Sequence, residues 1–596
     1  MDVRAMLSRM PGWAWFVAGA VVAALIAVIV AAATGADGEP AAASASPSAS
    51  AATPSATAST GAEVAQTTAA CTATAAVTGT WEGGFQAEVT VAAEADLDDW
   101  TVSLDLDDAA VTGSWSSTLE VGASGTVEVG PVDYNAAIAA GQSVGFGFTA
   151  DGEAPEAIGA ACATDAVVAP APAASSTAEA PARDVPAAAG GDGDDWLRAD
   201  GASIVDLNGD EVWLTGANWF GFNTSARVLH GLWTVDMEPV LDQVAARGIN
   251  VLRVPISTEL LLEWKAGRAE VSGSVNQAGA QSGLDTLEVF DAFLAACKER
   301  GVKVILDVHS ALADDAGHLS PVWFAGDVTS TDFVEGWTWV AKRYRDDDTI
   351  VAFDLQNEPH GKASENPRAS WGGGAADTDW KAVAEDLALR ILDIHPNVLV
   401  MVEGIETYPK DGSSWSSTDA GDYDTTWWGG NLRGVADAPV DLGDYQDRLV
   451  YSPHEYGPLV YEQPWFQSSF SKASLEHDVW EPNWLYLDSD GIAPLLIGEW
   501  GGRLGQDERQ DRWMTAVRDL IVERRLSHTF WCVNPNSGDT GGLLLDDWTT
   551  WDEEKYALLE PALWQDDEGR FVSLDHEVPL PGGITVTEFY EAGGSL

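Results

Sequence analysis

Between about residues 70 and 165, apolar and polar residues alternate in short runs, as in Phe85-Gln86-Ala87-Glu88-Val89-Thr90-Val91 and Gly125-Thr126-Val127-Glu128-Val129, broken by Gly and Asp. Period-two alternation of this length predicts strands with one face on a core, and hence a β-sandwich. Beyond about residue 195 the pattern changes. Short β-branched or apolar runs recur at Val212 to Gly216, Asn250 to Val254, Val302 to Val308, Ile350 to Leu355, Val398 to Val402, Leu449 to Ser452, Pro494 to Ile497 and Thr529 to Val533. Segments with helical spacing separate several of them, among them Met237 to Arg247, Leu284 to Arg300 and Trp380 to Ile394. Eight such strands with helices between them predict an α/β fold, a (β/α)8 barrel with long loops.

Two stretches, 35–69 and 166–194, are Ala, Pro, Ser, Thr and Gly with almost no large apolar residue. They cannot bury enough surface to fold and are expected as linkers. Ahead of them, Arg4 and Arg9 precede an uncharged apolar run from Trp13 to Ala33 that ends in Ala31-Ala32-Ala33. That is the layout of a signal peptide, yet the run approaches the roughly 20 residues that span a bilayer, so cleavage and retention as an N-terminal membrane anchor both stay open. In either case the chain beyond it is placed outside the cell. The expected organisation is therefore a signal peptide or anchor over 1–34, a linker over 35–69, a β-sandwich over 70–165, a second linker over 166–194 and the barrel over 195–596.

Charge narrows the partners. With 31 Lys and Arg against 93 Asp and Glu the net charge is −62, which excludes a phosphate-binding surface and with it nucleic acid. Of the four cysteines, Cys71 and Cys162 bracket the sandwich segment and are expected to pair outside the cell. Cys297 and Cys532 lie in apolar surroundings and read as buried small residues, and no cysteine has zinc-ligand spacing. No metal or cofactor is expected, and the chain is expected to be a monomer.

The chemistry lies at the strand ends. In order they deliver Asn218 and Trp219, Arg253, His309, Asn357 and Glu358, Glu403, His454 and Tyr456, Glu499, and Trp531. A barrel gathers these positions at one mouth, where such folds place catalysis. Glu403 taken alone fits a solvated loop position equally well. Two carboxylates at a Trp-lined mouth with no metal motif fit glycosidic bond cleavage, with one protonating the leaving oxygen and the other attacking the sugar or activating water. Glu358 and Glu499 follow strands four and seven, which face each other across a barrel. A retaining reaction needs them at about 5 Å, with Glu499 ionised beside Arg253 and Glu358 protonated. Asn357 is placed to donate to the sugar 2-hydroxyl, Tyr456 to donate to Glu499, and Trp531 to floor the reacting sugar. Trp219, Trp233 and Trp428 are either platforms for neighbouring sugars or barrel packing. In the sandwich, Trp100 alternates inward, whereas Trp81, Trp115 and Tyr134 sit among Gly, Ser, Asn or Asp as turn, edge or core positions.

The ordered set Trp81-Glu-Gly-Gly84-Phe85, Trp100-Thr-Val102, Trp115-Ser-Ser, Tyr134-Asn135 and Ala140-Gly141-Gln-Ser-Val-Gly-Phe146 resembles a family 2 carbohydrate-binding module. That resemblance implies a planar face of Trp81, Trp115 and Tyr134 that stacks on cellulose or a related β-1,4-linked polysaccharide. The set Ile249-Asn-Val-Leu-Arg253, Asp354-Leu-Gln-Asn357-Glu358-Pro359-His360, Ser452-Pro-His454-Glu-Tyr456, Gly498-Glu499 and Trp531-Cys-Val-Asn534 resembles glycoside hydrolase family 5, the endoglucanase-type cellulases. It implies Glu358 as acid/base, Glu499 as nucleophile, and Arg253, His309, Asn357, His454, Tyr456 and Trp531 in support. Trp500 stands where Phe is frequent, and the tract around Asp411 to Asp424 looks like an insertion by the cleft. The expected activity is a secreted, retaining endo-β-1,4-glucanase. A β-mannanase or mixed-linkage glucanase shares the chemistry, and a surface glycan-binding protein without catalysis is the alternative of another class.

Overall fold

Alternating residues pair into two antiparallel sheets in the small unit, and near-continuous apolar runs pair in parallel in the large one, as their burial demands. A computed structural model describes residues 71–164, except 82–83, 94–96, 98, 107–108, 116, 122–126, 132–142, 153–154 and 156–157, together with 191 and 193–596, except 376 and 468. The apolar run from Trp13 to Ala33 lies outside the described residues. Within them no helix is long and apolar enough to cross a membrane. The chain divides into two units, residues 1–175 and 176–596.

In the small unit, strands Cys71–Trp81, Gly84–Ala93, Ser143–Asp151 and Ala110–Trp115 form one four-stranded sheet. Thr118–Val121, Val127–Gly130, Thr101–Asp105 and Gly159–Ala163 form the other. Phe85, Val89, Val91, Val102, Phe146 and Phe148 fill the space between them. Trp100 turns inward as its alternation predicts, 1% exposed and stacked on Phe146 at 5.6 Å. A disulfide joins Cys71 to Cys162, so the first strand and the last are tied across the two sheets.

The barrel strands are Thr215–Asn218, Val251–Ser257, Lys303–Ser310, Ile350–Asp354, Leu399–Val402, the pair Leu449–Tyr451 and His454–Tyr456, Leu496–Gly501 and Ser527–Phe530. All neighbouring pairs are parallel. The sheet has nine pieces rather than eight because the sixth strand is interrupted at Ser452-Pro453, where proline has no N–H for the ladder. Its two halves sit at opposite ends of the hydrogen-bonded order, so the sheet closes on itself. The first strand starts three residues later than its apolar run predicts. Over Trp213 to Thr215 the Asn250 side chain replaces the ladder, accepting from Thr215 N at 2.8 Å and donating to Trp213 O at 3.0 Å. The helices fall on the expected segments, Met237–Ala246, Thr286–Lys298 and Trp380–Ile394, and they cover the strands with apolar faces. Cys297 and Cys532 are buried and unbridged.

Candidate active site

The site begins with one buried arginine on the second strand. Arg253 has no exposed side-chain surface, so its charge must be met by neighbours rather than by water. Nε bonds Asp354 at 2.9 Å; Nη1 bonds Glu499 at 2.9 Å and Asn218 at 3.1 Å; Nη2 bonds Asn357 and Glu403, each at 3.1 Å. Asp307 adds a further ion pair at 3.1 Å. The guanidinium thus locks the ends of five other strands into one plane. Holding Asn357 by its Oδ1 leaves the amide N–H groups to point elsewhere.

Facing pairs of strands place the two glutamates. In the register of strands six and seven His454 lies beside Glu499, and Tyr456 Oη donates to Glu499 Oε2 at 2.6 Å. His454 Nδ1 lies 3.0 Å from Glu358 Oε1 and 3.6 Å from Glu499 Oε2, while Nε2 lies 3.1 Å from Glu403. Oxygens of Glu358 and Glu499 approach within 4.8 Å of one another.

Glu358 reaches this position on a left-handed backbone with φ +47°, a conformation that costs a non-glycine residue of order 1–3 kcal/mol. Two bonds impose it. The Glu358 N–H donates to Glu403 Oε2 at 2.7 Å, and its carbonyl is bonded by His360 Nδ1 at 2.7 Å. The loop from the fifth strand comes close enough only because residue 429 is glycine, with φ +69° and no Cβ to meet Glu403 Oε2, which would lie 2.4 Å away.

Burial and unequal neighbours separate the two carboxyls. Burial pushes Glu358 up to about 7, and the Glu499 charge adds to the push. Glu499 is pushed up by burial too, but His454, Arg253 and the Tyr456 hydroxyl bring it below the ordinary range. Burial works against charge on His454, yet Glu403 and Glu499 hold its pKa well above the usual value. His309 is driven down by burial and stays neutral, bonded to Asp307 at 2.7 Å.

The aromatic residues divide into wall and core. Trp531 lies parallel to His309 and to Phe220, at 5.6 and 5.5 Å. Contacts continue from Phe220 through His230 to Trp233, which is 43% exposed. Trp428, half-buried, stacks on His360 at 3.8 Å. Trp219 is corrected: it has no exposed surface, packs edge-on to Phe293 and donates to His230 O, so it is barrel packing and no platform. The adjacent Phe220, which sequence reasoning passed over, holds the wall position. Sequence reasoning placed Asn218 at the mouth without a role and left out Asp307, Asp354 and the role of Glu403, which is buried and bonded rather than solvated. In the small unit Trp81 pairs with Gly84 and Trp115 with Gly147 at strand ends, and Tyr134 falls outside the described residues.

Residues 205–537 match the family described as Cellulase (glycosyl hydrolase family 5), and residues 71–167 match the Cellulose binding domain. Endoglucanase G of Acetivibrio thermocellus is 46% identical over 440 residues, 68% of this chain and 77% of its own length. The major extracellular endoglucanase of Xanthomonas campestris pv. campestris is 34% identical over 363 residues, 61% of this chain and 69% of its own. The solved hyperthermophilic endocellulase of the archaeon Pyrococcus horikoshii is 33% identical with a TM-score of 0.55, covering 62% of this chain and 98% of that one.

Proposed function

The chain belongs to glycosyl hydrolase family 5, and from that premise we propose that it is an extracellular endo-β-1,4-glucanase. It cleaves cellulose internally with retention of configuration and is held on the polymer by its binding module. The observation that carries the mechanism is that oxygens of Glu358 and Glu499 lie no more than 4.8 Å apart, which suits double displacement and falls short of the roughly 6.5–9.5 Å that leaves room for water. The opposite directions of their pKa values support the division of labour.

Glu499, ionised against Arg253 and Tyr456, attacks the anomeric carbon as Glu358 gives its proton to the leaving oxygen. Glu358, now a carboxylate, then takes a proton from the water that hydrolyses the glycosyl ester on Glu499. Asn357 donates to the 2-hydroxyl as positive charge grows on the ring. Trp531 floors the reacting sugar, while Phe220, Trp233 and Trp428 extend the aromatic wall. In the binding module the flat faces of Trp81, Trp115 and Tyr134 lie on pyranose rings, and tethering raises the local concentration of substrate. Export follows from the apolar N-terminal run, and a relative bearing the name of an extracellular endoglucanase supports it.

A substrate panel tests this reading. New reducing ends are expected on cellulose ahead of mannan and lichenan. The Trp81→Ala/Trp115→Ala double variant is expected to lose rate on insoluble cellulose while keeping it on a soluble derivative. Activity on mannan alone would overturn the substrate assignment, and equal losses on both celluloses would overturn the tether.

A further inference from the structure

On the sixth strand, between the two residues that touch the catalytic carboxyls, lies a third ionisable side chain that the mechanism does not use. His454 and Tyr456 face the mouth, so alternation turns Glu455 the opposite way, into the layer between strands and helices. It is 1% exposed. There it meets indole N–H groups rather than a cation. Trp513 Nε1 donates to Glu455 Oε1 at 3.3 Å, and the indoles of Trp480, Trp427 and Trp484 favour its charged form without a hydrogen bond of that quality. Among the described residues the buried N–H groups of Trp427 and Trp480 have no hydrogen-bond partner.

These four rings come from separate parts of the chain. Trp480 and Trp484 lie on a π-helical segment, Glu476–Leu485, whose wide turns accommodate Pro482. Trp513 lies on the helix Glu508–Arg524. Trp427 lies on the loop after the fifth strand, edge-on to Tyr456 at 6.2 Å and directly before Trp428. Burial pushes the Glu455 carboxyl up to about 7, and the indole donors pull against that push. A carboxyl so deeply buried, at a strand that proline has already cut at Pro453, is costly unless its partners hold it in place.

We propose that Glu455 is a positioning residue, whose buried bond to Trp513 on the helix Glu508–Arg524 fixes the reach of His454 onto Glu358 and Glu403 and of Tyr456 onto Glu499. The proposal rests on the roles given above to Glu358 and Glu499. A slip of the sixth strand lengthens the 2.6 Å Tyr456 bond and the 3.0 Å His454 contact together. Misplacement of about 1 Å costs of order 10²-fold in rate.

The test uses the full chain with Glu455→Leu and Glu455→Gln, measuring kcat and KM on cellohexaose, the pH profile of kcat/KM and the thermal midpoint. Glu455→Leu is expected to lower kcat by about 10²-fold with little change in KM. It should also move the acid limb of the profile upward, because Glu499 loses the Tyr456 donor that favours its ionised form. Glu455→Gln keeps a carbonyl acceptor of the same length and is expected to lose only about fivefold, the scale of one neutral hydrogen bond. A Glu455→Leu enzyme with the parent kcat and acid limb and only a lower midpoint would overturn the proposal, as would Glu455→Gln falling as far as Glu455→Leu. If Glu455→Leu does not fold, Trp513→Phe, which keeps an aromatic ring and removes the donor, carries the test. Lower kcat with a raised acid limb is then expected, and an unchanged pair overturns the proposal. Hydrolysis by the parent enzyme tests the catalytic assignment separately, so the two failures are distinguishable.

Discussion

Both ends of the barrel bury charge, and they do so to opposite effect. At the N-terminal end Lys303, the first residue of the third strand, bonds Asp195 and Asp575, and His576 bonds Asp195 at 2.7 Å and Asp206 at 3.1 Å. Asp195, Asp206 and Asp575 each have a cation in direct contact, and Asp195 has two. Burial pushes Asp195 up, yet His576 and Lys303 bring it well below the usual carboxylate range. At the mouth, Asp307, Asp354, Glu403 and Glu499 share the Arg253 guanidinium, with His454 the second cation. Burial there raises Asp307 to about 7, Asp354 to about 6 and Glu403 well above its usual value. Two cations bridging three acids make a clamp that joins the start of the large unit to its C-terminal segment. Surplus carboxylates around too few cations keep one acid protonated and another ionised, as acid/base chemistry at neutral pH requires.

The largest expected contrast comes from removing one charge at each end. Glu499→Gln is expected to lower kcat by about 10⁴-fold or more, while the thermal midpoint at pH 7 holds or rises because the surplus at the mouth falls by one. Lys303→Met strands the buried Asp575 carboxylate, leaves Asp195 with His576 alone, and is expected to cost about 3–5 kcal/mol of stability, with kcat per folded molecule unchanged. Denaturant melts and active-site-normalised rates check both, and a Lys303 variant that loses kcat without losing stability breaks the comparison.

A smaller contrast lies in pH. Rate is expected to fall as pH rises through about 7, where Glu358 loses the proton it must donate. His576, raised to about 9 by its bonds to Asp195 and Asp206 against the opposing effect of burial, acts on stability instead. Its folded pKa exceeds the unfolded value of 6.5, so its contribution is complete below about 6.5 and fades as pH rises through 9. Thermal midpoints between pH 6 and 10 are expected to decline in the parent and to decline less in His576→Gln. Rate and midpoint falling together at one pH would show that the two ends are not separate devices.

Much of this was legible in the sequence. The strand-end residues and the two opposed glutamates follow from apolar runs that end in polar residues, and the barrel geometry gathers them. What stayed hidden depends on direction and depth. Trp219 and Phe220 are adjacent aromatics, and which one lines the wall is a matter of a single residue of register, invisible in composition. Val402-Glu403-Gly404 offers one acid without context; its role comes from Arg253 and His454, both distant in the chain. The interruption at Pro453 was readable from proline's missing donor and was passed over. The bond of Glu455 to Trp513 joins positions 58 residues apart in the chain, and no local pattern announces it.

The claim that Glu358 and Glu499 meet over one sugar to form and release a glycosyl ester is tested most directly by the first product. Proton NMR of the anomeric signals during early hydrolysis of cellohexaose is predicted to show β hemiacetal ends appearing first and mutarotating later. α ends appearing first would contradict it.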